Sequence, residues 1–245
     1  MKKIVLILFL VHPLILAQNV PTAFKPGEKL TYKVQYGPII AGVANLEVSS
    51  SKNEFTYLAK GKSTGVFNVF FKVRDTYKSV VNKSTLKPVW FYRDIKEGNY
   101  KKKEKVFFNY ELQRAESTRD TISLPNNTQD ILSIFYYLRS QNFNHLKVGD
   151  HLSAQMYLDD EFIQSKMYYL GIDTIKTKFG RISCTKWAPE LQTGRVFEDK
   201  QGLELWISND ANKIPIQVKA KVMVGSIKMD LIEAKGTRER FKPIK

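Results

Sequence analysis

The chain has 245 residues, a formal net charge of +15 and a single cysteine, Cys184. One cysteine excludes an internal disulfide, so stability has to come from a packed core. The length is sufficient for one large β domain or for two smaller halves. Within the stretch "RISCTKW", Cys184 is predicted to be a small strand residue; a reactive thiol is the alternative.

The N-terminal segment has the features of a secretory signal peptide. Lys2 and Lys3 precede an apolar run over residues 4–16, and the small residue Ala17 follows. The sequence therefore predicts a signal peptide over residues 1–17 and export as a soluble periplasmic or secreted protein. A retained membrane anchor is the alternative, but the run is short for a helix that spans a bilayer.

The mature chain is predicted to begin near Gln18. No cysteine lies near this cleavage point, so the protein is not predicted to be a lipoprotein. Residues 18–245 are predicted to form a single β-rich domain, because no linker rich in Pro, Gly or Ser divides them. After export, the excess of lysine and arginine would favour lipid headgroups or acidic glycans over nucleic acid. The alternative is that the lysines keep exposed strand faces soluble and strand edges unpaired.

Alternating apolar and polar residues predict antiparallel strands along most of the chain. Residues 30–36 and 44–48 show this period of two, and similar runs continue up to residue 234. Residues 63–71 are ambiguous, because their apolar side chains suit either a short helix or a buried loop.

One segment, residues 128–140, has helical spacing and is predicted to be the principal helix, joining two β halves. Thr128 is its predicted N-cap, with Asp130 in the first turn and Arg139 in the last. A helix between two runs of strands predicts a mainly β (α+β) fold. We expect a large curved antiparallel sheet or half-barrel packed on this one principal helix.

Gly37 and Gly42 raise the question of a phosphate-binding loop. A Walker loop needs Lys and then Ser or Thr directly after its second glycine, and neither follows Gly42. The segment therefore predicts a hairpin connection in which Gly42 allows a bend or bulge. Ile39 and Ile40 are apolar where a solvated turn is polar, so they either tuck under a neighbouring element or guard an apolar cleft.

Candidate catalytic and metal-binding groups form no recognisable set. His145 and His151 are expected to be two exposed loop histidines, since a zinc site usually takes three or four protein ligands. The G-x-S-x-G nucleophile elbow is absent from the sequence. The acidic run at residues 159–161 is interpreted as a solvated hairpin tip rather than a glycosidase carboxylate pair. We therefore predict no enzymatic activity, no metal and no cofactor.

A basic stretch over residues 100–108 interleaves lysines with aromatic and aliphatic residues. Lys103 and Lys105 would share one strand face, opposite Glu104 and Val106. This pattern favours a solvated outer face over a nucleic-acid site, and it also protects strand edges from pairing. Contact with an anionic lipid or glycan is the alternative, and it would amount to a peripheral membrane contact.

Aromatic side chains are the remaining clue. Several alternate along strands or crowd the predicted helix, which suits either an ordinary core or the lining of an apolar cleft. If the cleft exists, its predicted ligand-binding residues are Tyr32, Tyr36, Ile39, Ile40, Trp90, Tyr92 and Phe135.

Three stretches of the chain form a distinctive set. They are "FKPGEKLTYKVQYGPIIAGVANLEV" at 24–48, "TQDILSIFYYLR" at 128–139 and "LELWISNDANKIPIQVKAKVMVGSIKMDL" at 203–231. Together they resemble domain-of-unknown-function family 3108, a group of exported bacterial proteins, and this resemblance implies no catalytic residue. The closing strands also resemble LolA-like lipoprotein carriers, in which a curved sheet wraps around helices and accepts acyl chains in an apolar interior.

The leading hypothesis is a non-enzymatic periplasmic protein that binds a hydrophobic or amphiphilic envelope molecule, such as a lipid or a lipoprotein acyl chain. The alternative is a structural or interaction module of the cell envelope, with a solid core and an envelope protein as its partner. A glycan-active enzyme is a third hypothesis, and it would need a carboxylate pair that nothing in the sequence selects.

Overall fold

A computed structural model describes residues 20, 22–190, 202–222 and 225–244. The predicted signal peptide lies outside these residues. The helices of the described chain are α1 (Phe67–Phe70) and α2 (Ser133–Arg139). The strands are β1 (Lys29–Tyr36), β2 (Ile39–Ser50), β3 (Glu54–Ser63), β4 (Arg74–Asn82), β5 (Pro88–Glu97), β6 (Tyr100–Asn109), β7 (Arg114–Ser117), β8 (Thr121–Ser123), β9 (Thr128–Asp130), β10 (His151–Leu158), β11 (Glu161–Thr177), β12 (Gly180–Pro189), β13 (Leu203–Ser208), β14 (Pro215–Lys221) and β15 (Ser226–Lys235).

All fifteen strands belong to one sheet, in the order β8-β7-β6-β5-β4-β3-β2-β1-β15-β14-β13-β12-β11-β10-β9. Neighbouring strands are antiparallel except β9 and β10, which are parallel. The first and last strands pair at the centre of the sheet, where Lys29 lies opposite Lys235. The predicted antiparallel sheet is confirmed, and its two halves are joined by a backbone ladder.

The two edges of this sheet are β8 and β9, which are close in sequence. Only residues 124–127 separate them, and a connection of this length spans at most roughly 18 Å. A flat sheet of fifteen strands would place its edges roughly 65 Å apart. The sheet therefore has to curve back on itself, as predicted. Within the described residues the two edges share no backbone ladder, so the sheet is not closed.

Side chains hold the two ends of the curved sheet together. The Ser79 hydroxyl donates to Asp130 Oδ2 at 2.6 Å, and the ring of Phe108 meets that of Tyr157 edge-on, with centroids 5.7 Å apart. Asp159, at the β10–β11 turn, pairs with Arg93 of β5.

The acidic run is a hairpin tip, as predicted, and Asp159 and Glu161 are exposed. The tip is also paired with cations: Asp159 with Lys102, and Asp160, whose side chain is only 18% exposed, with Arg119. Hairpin periodicity alone does not predict these partners, because they come from the opposite end of the sheet.

The predicted principal helix is shorter than residues 128–140, because residues 128–130 form β9 and α2 begins at Ser133. Asp130 Oδ1 accepts hydrogen bonds from the backbone amides of Leu132 and Ser133, both at 2.8 Å. The Asp130 amide donates to Ser133 Oγ at 2.8 Å. This reciprocal capping starts the helix after Asp130 rather than at Thr128, whose hydroxyl donates to the Pro125 carbonyl instead.

The packing of the sheet on one principal helix is not confirmed. The helices among the described residues have four and seven residues, so neither is long enough to cover fifteen strands. The largest cluster of buried side chains is instead built by the strands and loops of the first half together with Leu132, Tyr136 and Tyr157. Leu46 packs against this cluster and against a second one around Trp206, which makes the core continuous across β1 and β2.

Candidate functional site

An apolar groove of about 390 Å³ lies beside the central strands of the sheet. It lies where β1, β2 and β3 meet the loop that contains α1. Its apolar lining includes Val34, Tyr36, Ala44, Phe67, Phe71 and Ile227.

The floor of the groove is open because small residues occupy it. Gly42, Ala44 and Gly61 all line the groove. A Cβ atom added at Gly61 would have only Asp75 Cβ within 4 Å, at 3.9 Å, so the space above this glycine is empty. At Gly42 the added Cβ would lie 2.3 Å from the backbone oxygen of Lys62. Gly42 is therefore required by the close approach of two strands, whereas Gly61 leaves room for a ligand.

A register shift in the β1–β2 ladder accompanies this close approach. Val34 lies opposite Gly42 and Gln35 lies opposite Ile40, so Ala41 has no partner in β1. The predicted hairpin with a bend or bulge near Gly42 is confirmed.

Aromatic rings form the wall of the groove next to α1. The rings of Tyr36 and Phe67 have centroids 6.1 Å apart, and those of Phe67 and Phe71 are 6.2 Å apart. The β5–β6 turn packs on the same wall, because a Cβ atom added at Gly98 would lie 3.0 Å from the Phe71 ring. The polar lining includes Gln35, Lys62 and Glu97, so the groove has an apolar interior with a few polar groups at its margin.

The loop between β3 and β4 is fixed by its own hydrogen bonds. The Ser63 hydroxyl donates to Asn68 Oδ1 at 2.8 Å and accepts from the Val73 amide at 2.9 Å. The Thr64 amide donates to the Ala41 carbonyl at 3.0 Å, which ties the loop to β2. The ambiguous segment at residues 63–71 is thus the end of β3 followed by a single helical turn.

Several apolar side chains around the groove point to solvent. Phe70 is 83% exposed and Val69 is 79% exposed on α1, and Val66 just before the helix is also exposed. Ile39 and Ile40 of the adjoining β1–β2 hairpin are about half exposed. Of the two alternatives for this isoleucine pair, tucking under a neighbouring element is not what the structure shows.

The seven residues predicted as ligand-binding do not converge on one place. Tyr36 lines the groove, and Ile39 and Ile40 lie on the hairpin beside it. Tyr32 is buried in the core, where its hydroxyl donates to the Pro215 carbonyl at 3.1 Å. Phe135 lies on α2 and meets the ring of Tyr136 edge-on, with centroids 5.0 Å apart.

Trp90 and Tyr92 lie on the outer face of β5, because they alternate with the buried residues Phe91 and Arg93. Their rings stack at 6.1 Å, and Lys78 Nζ lies 5.4 Å from the Trp90 ring. The prediction missed Phe67 and Phe71. The only available signal was the apolar run at residues 63–71, which periodicity does not assign to a face.

The comparisons with known proteins agree with the sequence resemblance. Residues 31–232 match the model of a family described as protein of unknown function DUF3108. The chain belongs to the DUF3108 family. No curated protein is significantly similar to it in sequence.

This DUF3108 chain is similar in fold to a β-barrel-like protein of family DUF1849 from Brucella abortus. The TM-score is 0.55 at 8% identity, and the alignment covers 86% of this chain and 98% of that one. A candidate exported protein with a YmcC-like fold from Bacteroides fragilis aligns at a TM-score of 0.41 and 11% identity, over 89% of this chain and 100% of that one. The similarity to the DUF1849 protein shows the fold alone, and the similarity to LolA-like carriers stays a prediction.

The buried charged side chains of the described residues do not line the groove, and each has an ion-pair or hydrogen-bond partner. Burial raises the pKa of Asp130 to about 6, although Ser79, Ser133 and Leu132 donate hydrogen bonds to its carboxylate. Burial also raises the pKa of the Cys184 thiol to about 12, and this cysteine is a buried strand residue, as predicted.

The remaining features of the described chain concern metals and membranes. Among these residues, no three His, Cys, Asp or Glu side chains are grouped as metal ligands would be. None of the helices in this part of the chain combines the length and apolar character needed to cross a bilayer.

Proposed function

We propose that this DUF3108 protein is a non-enzymatic, exported protein that binds the acyl chain of a lipid or other envelope amphiphile in the groove beside α1. The observation that carries the proposal is the empty, small-residue floor at Gly61 facing the aromatic wall of Tyr36, Phe67 and Phe71.

The size and lining of the groove suit this class of ligand. Its volume of about 390 Å³ lies within the range of about 300–1,000 Å³ that small-molecule sites occupy. Each methylene of an acyl chain that leaves water for such a surface contributes about 0.8 kcal/mol. Binding would therefore come mainly from apolar contact along the chain.

Of the two charged residues that line the groove, Lys62 and Glu97, Lys62 offers a contact for an anionic headgroup. Lys62 lines the groove and is exposed to solvent, and the chain carries a formal net charge of +15. A carboxylate or phosphate next to Lys62 would stay hydrated while the acyl chain enters the groove.

The proposal assigns no catalysis to the buried acids. Glu28 is bonded to Arg139, Glu104 is paired with Arg93, and Asp130 is bonded to Ser79 and to backbone amides. Each of these carboxylates already has a structural partner.

The proposed localisation is the periplasm or the exterior. It rests on the basic, apolar and small residues that open the sequence in the order of a signal peptide. The location and the ligand class fit one another, because envelope amphiphiles are found in that compartment.

A fluorescent fatty acid tests the site. Purified protein is titrated with cis-parinaric acid, and the same titration is made with Gly61→Phe, which fills the empty floor. We expect saturable binding by the natural chain and a loss of at least about tenfold in affinity for Gly61→Phe. Trp90→Leu is the matched control: it removes an aromatic ring from the outer face of β5 and should bind as the natural chain does.

Two results would overturn the proposal. One is loss of binding in Trp90→Leu with no loss in Gly61→Phe, which would place the ligand on the outer aromatic pair. The other is absence of cis-parinaric acid binding together with no co-purifying amphiphile in native mass spectrometry. The second result would favour a structural or interaction module of the envelope.

A further inference from the structure

We propose that the loop between β3 and β4 docks this end of the protein on the surface of a membrane that contains anionic lipids, with Val69 and Phe70 entering the bilayer interface. The inference deepens the proposed function, on which it rests for one point: the membrane would be the source or the destination of the amphiphile. The docking itself is measured separately.

The first support is the exposure of apolar side chains at the tip of the loop. Phe70, Val69 and Val66 are 83%, 79% and 70% exposed. They lie within five consecutive residues on and beside α1. Exposed apolar residues that are grouped in this way mark an interaction site, whereas isolated ones need no explanation.

The second support is that the loop is built to hold these residues outward. Phe67 of the same helical turn packs against the ring of Tyr36 in the wall of the groove. The Ser63 hydroxyl joins Asn68 to the Val73 amide. Because the base of the loop is fixed, its apolar tip can insert without first paying the entropy of ordering the loop.

The third support is the charge around the tip. Lys62 and Lys72 flank the loop and Lys101 follows the β5–β6 turn that packs on Phe71; all three are exposed. None of the three forms an ion pair with a carboxylate of the described residues. Lysines next to an apolar tip complement the negative surface of an anionic bilayer.

The exposure and charge of the loop favour a bilayer over a protein partner as the occupant. Val69 and Phe70 are almost fully exposed, and Ile39 and Ile40 extend the apolar surface on the adjoining hairpin. A bilayer interface accepts such a surface without shape complementarity, and basic residues around the tip match its charge. The mouth of the groove opens at the same end, so an acyl chain could pass between the bilayer and the groove.

Vesicle sedimentation tests the docking. The purified protein is mixed with vesicles of equal phosphatidylglycerol and phosphatidylcholine, and separately with vesicles of phosphatidylcholine alone. We expect binding to the anionic vesicles that is at least about tenfold stronger, because three exposed lysines lie near the apolar tip. Phe70→Ser should weaken that binding about tenfold, and Phe70→Trp should retain it. Lys72→Glu should weaken it to a similar extent.

Matched controls are available at other places on the protein. Val148 is an apolar residue, 71% exposed, that precedes β10 and does not line the groove. Val148→Ser should bind vesicles as the natural chain does. Lys103→Glu changes an exposed charge on the outer face of β6 and should reduce binding less than Lys72→Glu.

Several results would overturn the inference. They are equal binding to both kinds of vesicle, undiminished binding by Phe70→Ser, and loss of self-association rather than of vesicle binding in Phe70→Ser. The proposed function has its own readout, since Phe70→Ser leaves the groove intact and should still bind cis-parinaric acid. Fatty-acid binding without vesicle binding rejects only the docking, and vesicle binding without fatty-acid binding rejects only the groove.

Discussion

Glu28 and Arg139 form a bidentate ion pair in the interior, although they are 111 positions apart in the sequence. Arg139 Nη1 donates to Glu28 Oε1 at 2.7 Å, and Nη2 donates to Glu28 Oε2 at 2.9 Å. Both side chains are only 1% exposed. Arg139 Nη2 also donates to the carbonyl of Asn212. The pair thus links the start of β1, the end of α2 and the β13–β14 loop.

Removing one partner of this pair is expected to be costly. Glu28→Gln leaves a buried guanidinium without its counter-charge, so we expect a loss of about 3–5 kcal/mol in the free energy of unfolding. Arg139→Met should cost a similar amount. The double variant should lose far less than the sum, since it leaves no unpaired charge. Urea unfolding of the four proteins measures this, and additive losses would show that the two side chains do not act as a pair.

Two glycines of the same groove are expected to respond in opposite ways to alanine. Gly42→Ala puts a Cβ atom 2.3 Å from the backbone oxygen of Lys62, so we expect a loss on the order of 3 kcal/mol. Gly61→Ala meets only Asp75 Cβ at 3.9 Å and should be neutral or more stable by about 0.5 kcal/mol. Thermal unfolding separates the two, and equal effects would contradict the close approach of β2 and β3 at Gly42.

Asp130 is expected to make stability depend on pH. Its pKa is about 6 in the folded chain against an ordinary value of 3.8, so the folded state holds this proton more tightly than the unfolded state. The contribution to stability is then greatest in acid and falls as pH rises from about 4 through about 6, by on the order of 3 kcal/mol.

The variant Asp130→Asn isolates this effect. It keeps an acceptor oxygen for the amides of Leu132 and Ser133 but does not titrate. Urea unfolding of both proteins between pH 4 and pH 7 should show the natural chain losing stability relative to Asp130→Asn as pH rises. Parallel curves for the two proteins would mean that Asp130 does not titrate differently in the folded and unfolded states.

The two ion pairs of Arg93 are expected to differ in strength, one with Glu104 on the neighbouring strand β6 and one with Asp159 from the opposite end of the sheet. Arg93 and Glu104 are 5% and 2% exposed, with Nη2 and Oε2 2.6 Å apart, so Arg93→Met should cost about 3 kcal/mol by leaving a buried carboxylate with only the more distant Arg119. Asp159 is 52% exposed, so Asp159→Asn should cost less than about 1 kcal/mol. Urea unfolding of the two variants measures both losses of stability. A larger loss for Asp159→Asn than for Arg93→Met would contradict the predicted order.

Local patterns in the sequence predict much of this fold and little of the site. Period-two alternation marks the strands, since each buries one face, and Gly42 marks the bulge. The pairing of β1 with β15 and the position of β9 depend on contacts between distant residues. Asp130 illustrates this limit: its capping of α2 is local, but its bond to Ser79 and its burial are not. Tyr32 and Tyr36 are predicted to lie on the same face of one strand, yet only Tyr36 lines the groove. Core side chains surround Tyr32, whereas the space beside Tyr36 is empty.

The order of strands in the sheet also bears on how the chain is connected. Apart from the pairing of β1 with β15, every pair of neighbouring strands is consecutive in sequence. A circular permutant that joins the chain after Lys235 to the chain before Lys29, and opens it between Ser123 and Thr128, would make every pair of neighbouring strands in the sheet consecutive in sequence. When the natural chain folds, only the pairing of its first and last strands has to bring together strands that are distant in sequence. Every other ladder can form between consecutive strands, through a hairpin or a crossover.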